Sequence, residues 1–373
     1  MKRKNTILAA AIAATLAAGL SGHAAASIYA RSYLKIDNLS ILISADGGAT
    51  PGGAAIRSFN FGITNSADLN GNLVSDSAAC SGVPGTPSAS TNNCNPRTNT
   101  GEPTPNTRLD ALAVNGGGSV PTRTNNDFTF FGAGNGEYSN ADGVIYSAQL
   151  TGDASTSVEQ IVESELQDGF SAQSSSVIKS TTGLTFTFTV QDDNSFIRIS
   201  FDALAGIMAQ VDADCIDPKN CTFLADANAA RSVEFRLTDD TITSIGDANV
   251  VFQWRPNGEA ATGTGIGLGA VKVQELDPFD LQADYQVSTL PCSNDGNPDP
   301  GDCASLGFTG TNNGFYLLEV SNLKAGQYTL GLTSDMSTIL SQSKTSIPEP
   351  ATLALLGMGL AGMGFASRRR KQA

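Results

Sequence analysis

The sequence predicts a mainly β protein, a β-sandwich or jelly-roll body with one short helix, flanked by an N-terminal signal helix and a C-terminal membrane-spanning helix. Runs that alternate apolar and polar residues recur through the middle of the chain, and turn residues punctuate them, with 39 Gly and 15 Pro in 373 residues. Charged residues make up only 16%, against roughly 25% in an average globular protein. At 40% hydrophobic the body can bury a core, which excludes both a polytopic membrane protein and a fully disordered chain.

Residues 1–26 predict a secretory signal peptide. Lys2, Arg3 and Lys4 precede an apolar run over 7–20, and Ala24 and Ala26 form a small-x-small cleavage signal that leaves Ser27 as the first mature residue. The run is shorter than the roughly 20 residues a bilayer span needs. His23, the chain's 1 histidine, departs with this segment. A mature body without histidine runs neither Ser-His-Asp nor Cys-His catalysis and builds no His-ligated metal site.

The body is read as one domain over 27–346. Residues 185–190 (Thr-Phe-Thr-Phe-Thr-Val) and 195–201 (Ser-Phe-Ile-Arg-Ile-Ser-Phe) alternate with period two around 191–194, which predicts a hairpin with one buried face. Similar runs predict strands at 33–44, 56–63, 127–131, 143–150, 233–237, 250–254, 271–276, 282–287, 315–320 and 327–333. This many short strands joined by Gly, Asn and Asp turns indicates a sandwich or jelly roll. The one predicted helix is 157–167, where Ser157 can cap and Val158, Ile161, Val162 and Leu166 recur at helical spacing. Residues 77–108, rich in Ser, Thr, Pro and Asn, predict a projecting loop held by Cys80 and Cys94, and 341–347 a polar spacer.

The 6 cysteines fall as close pairs, Cys80/Cys94, Cys215/Cys221 and Cys292/Cys303. Clustering and export to an oxidising compartment favour three local disulfides, with a thiolate metal site as the rival reading. Charge sharpens once the ends are set aside. Of 22 Lys+Arg and 36 Asp+Glu, three cations belong to the leader, four cations and Glu349 to the tail, so the body keeps 15 and 35, a formal −20. Such a surface repels nucleic acid and attracts divalent cations. Calcium is the one cofactor suggested: Asp68, Asn70 and Asn72, and Asp295, Asn297 and Asp299, place oxygen ligands at alternate positions. The same segments also read as ordinary Asx turns. Trp254 either stacks a sugar from an exposed sheet face or packs in the core. No catalytic residue is assigned.

The C-terminus reads Pro348-Glu349-Pro350, an uncharged run over 351–366, then Arg368, Arg369, Arg370 and Lys371. Such a run makes about 24 Å of helix, which spans a bilayer once flanking residues snorkel. The terminal cations favour the cytoplasmic side, with the body in the periplasm. This tail resembles the PEP-CTERM sorting signal of Gram-negative bacteria over 347–373. The resemblance implies recognition by exosortase, a membrane cysteine protease-transpeptidase, cleavage near Pro348-Glu349-Pro350, and delivery to the cell surface or extracellular matrix. Residues 32–39 (Ser-Tyr-Leu-Lys-Ile-Asp-Asn-Leu) are similar to the opening of one group of exosortase-dependent surface proteins. The resulting expectation is a non-enzymatic surface or biofilm-matrix protein. Its transient partners are signal peptidase, exosortase and the inner membrane, and its lasting partner is extracellular polysaccharide. The alternative is a carbohydrate-active enzyme with the same address, which needs two carboxylates about 5–10 Å apart in a cleft.

Overall fold

Most of the period-two runs of the body form strands, and several of these are longer than the sequence marks. In the computed structural model the described residues are 27–44, 50–51, 56–83, 86–88, 107–117, 123–124, 126–147, 156–167, 173–212, 223–242, 249–258, 272–288, 305–306 and 310–344. In chain order the strands are β1 (Ser27–Ser44), β2 (Thr50–Pro51), β3 (Ile56–Leu69), β4 (Asn72–Val83), β5 (Thr86–Ser88), β6 (Thr107–Gly117) and β7 (Glu137–Ser147). There follow β8 (Thr156–Gln167), β9 (Gln173–Val190), β10 (Ser195–Asp212), β11 (Phe223–Asp239) and β12 (Val250–Trp254). The last are β13 (Lys272–Leu276), β14 (Ala283–Ser288), β15 (Ser305–Leu306), β16 (Gly310–Leu323) and β17 (Gly326–Lys344).

These strands make two antiparallel sheets. Sheet A runs β13-β16-β10-β1-β8-β7-β6, with β15 on β10 and β2 on β1; sheet B runs β12-β11-β17-β9-β3-β4-β5, with β14 on β11. The inner faces meet in a core that includes Leu34, Ile36, Phe61, Phe186, Phe201, Phe235 and Tyr316. Phe201 stacks on Tyr316 with centroids 4.8 Å apart and on Phe235 at 5.2 Å. A second apolar cluster packs Ile28, Ala30, Leu166 and Val211 of sheet A against Leu69, Ala227 and Leu340 of sheet B. This is the β-sandwich alternative of the predicted fold class.

Five local expectations are corrected. Residues 185–190 and 195–201 are not a hairpin: β9 lies in sheet B and β10 in sheet A, so 191–194 carries the chain across the sandwich. Asn194 takes a positive φ of 62° there, a conformation Asn adopts at modest cost. The β16–β17 link crosses beside it, with Val190 opposite Gly326 and Ser195 opposite Leu323. Asp193 Oδ1 accepts from the Ala325 amide at 2.9 Å, tying the two arches together. Between β1 and β3 the chain crosses at the same end, since Ser44 pairs with Phe196 and Ile56 with Phe188.

Residues 157–167 are not a helix but β8, a strand inside sheet A between β1 and β7. Val158, Val162 and Leu166 face the core, while Glu159, Ile161, Glu163 and Glu165 face the other side and are largely covered. Both faces are buried, so the period-two signal vanishes and the apolar residues coincide with helical spacing. Residues 127–131 are irregular rather than strand. Residues 77–83 continue β4 rather than opening a loop, and 86–88 and 107–108 are also strand. Residues 341–344 belong to β17 rather than a spacer.

A strap over 277–282 joins β13 of sheet A to β14 of sheet B and shuts one flank. Trp254 Nε1 donates to Asp277 Oδ1 at 3.2 Å, Tyr316 Oη donates to the Phe279 carbonyl at 2.7 Å, and Gln282 Nε2 donates to the Val233 carbonyl at 2.6 Å. Gly314 permits this closure, because a Cβ there would fall 2.9 Å from Pro278 Cβ and 3.1 Å from the Phe279 ring. We expect Gly314→Ala to destabilise the protein by about 1–3 kcal/mol through overpacking. Gly183→Ala, on a face with nothing within 4 Å, should stay within about 0.5 kcal/mol; denaturant midpoints of the two variants check the contrast.

Candidate functional site

Of the residues singled out from sequence, Ala24, Ala26, Pro348, Glu349, Pro350, Arg368, Arg369 and Arg370 lie outside the described residues, as do Asp295, Asn297 and Asp299. The same holds for Cys94, Cys215, Cys221, Cys292 and Cys303. The expected bridges Cys215–Cys221 and Cys292–Cys303 therefore fall wholly outside the described residues, and Cys80–Cys94 falls outside them at one end, so none of the three pairings is seen. Cys80 is wholly buried in β4 and is not a free thiol. It sits within a strand rather than at the foot of the loop expected to begin at 77, because β4 pairs with β3 through Gly82.

Ser27 is the first residue of β1. Asp68, Asn70 and Asn72 fall at the β3–β4 hairpin. Asn70 and Gly71 both take positive φ, 54° and 82°, the signature of a two-residue primed turn. Asp68 Oδ1 accepts from the Gly71 amide at 2.9 Å, so that carboxylate is engaged within its own turn. Among the described residues no group of three or more His, Cys, Asp or Glu side chains converges on a metal position. Trp254 is 3% exposed and packs on Phe201 and Phe235 in the core, so it stacks no sugar.

The densest polar cluster is one that sequence reasoning missed. Register places Tyr29 opposite Glu165 and Arg31 opposite Glu163 across β1 and β8, and Asn140 opposite Glu163 across β7 and β8, all on the outer face of sheet A. A cap over 123–136 lies on this face. Glu163 accepts from Tyr29 Oη at 2.5 Å, Arg123 Nη2 at 2.7 Å, and the amides of Phe131 and Gly132 at 3.1 and 2.9 Å. Glu165 accepts from the amides of Gly134 and Asn135 at 2.6 and 3.1 Å. Arg123 also donates to Asn140 Oδ1 at 2.7 Å and to the Thr129 carbonyl at 3.0 Å, and its guanidinium lies 4.4 Å from the Phe131 ring centre. Arg31 sits 3.9 Å over Phe130. Two carboxylates thus gather four backbone amides, and the irregular cap is fixed without a ladder of its own.

Burial dominates the electrostatics of this face. It raises the Glu165 carboxyl to about 7 despite its amide donors, and it raises Glu159, which accepts from Tyr33 Oη at 2.7 Å. It likewise raises Glu137, and on the opposite flank Asp277. Chemically the cluster is an internal anchor: Glu163 and Glu165 spend their lone pairs on the chain's own donors.

Sheet B presents a different outer face. Its core strands expose hydroxyl and amide side chains in register, with Thr181 opposite Asp335 and Asp335 opposite Ser232. β14 rises beside them, and together they form an open trough of about 610 Å3 lined by Thr181, Ser232, Gln282, Asp284, Asp335 and Ser337. Asn228 Nδ2 holds Asp284 Oδ1 at 2.7 Å. The alternation Thr-Phe-Thr-Phe-Thr signalled a polar outer face; the trough depends on β14 and was not legible.

These features define a β-sandwich with one capped and one open outer face. Residues 346–371 match the family model of the PEP-CTERM protein-sorting motif. The chain therefore carries the mark of an exported protein that exosortase processes from a membrane-anchored precursor in a Gram-negative bacterium. No curated protein matches it. Among solved structures, that of infectious bursal disease virus Gx strain is 8% identical, over 88% of this chain and 78% of that one, at a TM-score of 0.08. The infectious bursal disease virus VP2 subviral particle is 9% identical over 87% and 78%, at 0.09. Scores this low carry no argument about fold or function.

Two outcomes follow from the cap. Arg123→Ala leaves Glu163 buried without its cation, so stability should fall by about 3–5 kcal/mol. Hydrogen exchange should accelerate first at the amides of Phe131 and Gly132. The second concerns pH. Glu137, Glu159, Glu165 and Asp277 all have folded-state values raised above the unfolded ones, so the folded chain binds more protons between about pH 4.5 and 7, and stability must fall as pH rises through that window. The melting temperature should therefore be higher near pH 5 than near pH 8, and Glu165→Gln should flatten the slope between them.

Proposed function

We propose that the protein is a non-enzymatic structural component of the cell surface or extracellular matrix, released by exosortase and in contact with extracellular polysaccharide through the open face of sheet B. The sorting motif at 346–371 is the observation that carries the reading, since it commits the body to work outside the inner membrane. The trough supports the choice of partner. Its threonine and serine hydroxyls, Gln282 amide and two carboxylates match the mixed donor and acceptor pattern of sugar hydroxyls, and its openness accepts a chain rather than a single small molecule. What supports a non-enzymatic reading is the state of the aligned carboxylates on β8, where Glu163 and Glu165 are consumed by backbone amides beneath the cap.

Mature protein recovered from the surface of exosortase-bearing cells should co-sediment with the exopolysaccharide of the same cells. Asp335→Ala combined with Ser232→Ala should weaken this by about tenfold, the effect of roughly 1.4 kcal/mol of lost hydrogen bonding. Undiminished binding by the double variant, or none by the wild type, would remove the trough from the account.

A further inference from the structure

Both ends of the described chain leave the sandwich from the same end. Ser27, the first residue of β1, pairs with Asp212 and Gln167, the last residues of β10 and β8. Lys344, the last residue of β17, pairs with Phe223, the first of β11. Ile28 and Leu340, on opposite sheets, share one apolar cluster, so these strand ends lie together. The arches at 191–194 and 324–325 occupy the other end. From Ala325 to the level of Asp226, which pairs with Ser341, the strands run about 50 Å.

The sorting motif leaves almost no slack at the Lys344 end. It begins at residue 346, with Thr345 alone between it and the last strand. From Lys344 to Pro348 the chain reaches at most about 14 Å. Nor does the fold yield more, because β17 is an interior strand: Ser343 is paired to Gln173 of β9 on one side and Lys344 to Phe223 of β11 on the other. Extra length would break ladder bonds on both flanks. Charge acts in the same direction. The body carries a formal −20, and exposed acids such as Asp284 and Asp335 lie along the outer face of sheet B, so laying a long side on an anionic lipid surface is unfavourable.

We propose that the anchored precursor stands upright on the membrane, with the Ser27/Lys344 end of the sandwich against the lipid headgroups and the arches pointing away. This rests on the tail being held in the bilayer, as the sorting motif implies. In this arrangement the cleavage region lies directly under the sheet ends, and the open face of sheet B stands perpendicular to the membrane while the tail is still attached.

The test uses the full-length precursor in phosphatidylcholine/phosphatidylglycerol vesicles whose headgroups carry a short-range spin-label quencher. A fluorophore is introduced by codon reassignment, one position at a time, at Asp226, Asp335, Asn313 and Ala325. Quenching should be several-fold stronger at Asp226 than at Ala325, with Asp335 and Asn313, on the outer faces of sheets B and A, intermediate and alike. A 12-residue Gly/Ser linker placed after Lys344, with an end-to-end distance of roughly 20 Å, should flatten the gradient. Equal quenching at Asp226 and Ala325, with either Asp335 or Asn313 dominant, means that the body lies on its side and overturns the proposal. Flotation separates this from failure of its premise: a precursor that floats with the vesicles but shows no gradient overturns the upright arrangement, whereas one that does not float overturns the anchoring itself.

Discussion

The whole structure hangs on the requirement that each long strand bury one face, combined with short links that carry the chain from one sheet to the other. Between Val190 and Ser195 only four residues are available, and they cross the sandwich. The apolar faces of β9 and β10 are thereby set against one another, so Phe186 and Phe188 of one sheet and Ile197, Ile199 and Phe201 of the other enter the same core. The β16–β17 link repeats the crossing on the neighbouring strands of both sheets, and the Asp193–Ala325 hydrogen bond fixes their separation. Once these arches are stacked, neighbours within each sheet are set by their position at the arch rather than by proximity along the chain.

The two sheets then treat their outer faces differently. On sheet A, Glu163 and Glu165 are covered, and desolvating them is offset by four amides and the Arg123 guanidinium. Low dielectric under the cap strengthens each of these bonds and penalises any that fails to form. On sheet B the outward side chains include short hydroxyls such as Thr181, Ser232 and Ser337 beside carboxylates such as Asp335, and no cap covers them. Inside the sandwich Ser32, together with Ser164 and Thr338 bonded at 2.9 Å, lies between the large core and the smaller one near Ile28 and Leu340.

How much of this the sequence disclosed follows from what periodicity can and cannot encode. Alternation at 185–190 and 195–201 reports that each strand has one apolar face. It does not report whether the two faces are coplanar, as in a hairpin, or opposed, as in an arch; that is decided by pairing with β1, β16 and β17, more than a hundred residues away. The β8 segment was misread for a related reason. With a core on one side and a cap on the other, its Val158, Ile161, Val162 and Leu166 lose the alternation that marks a half-buried strand. Conversely, the strand ending at Trp254 was plain because its ladder partner, the end of β11, is close in sequence. The cap cluster was invisible, since Arg123 and Glu163 are brought together only by the register of β7 and β8. The sorting motif was the clearest feature, being a contiguous signal read by a protease rather than by the fold.

The position of β17 sets the order of events during export. Without it, sheet B is two separate pieces, β12-β11-β14 and β9-β3-β4-β5, because β17 alone bridges β11 and β9. A chain exported from its N-terminus delivers the bridging strand last, and the sorting motif follows it after one residue. Completion of the fold and arrest of the tail therefore coincide. Until then the facing edges of β11 and β9 lack their partner strand. It also means that a chain ending before Gly326 lacks the strand that joins the two halves of sheet B.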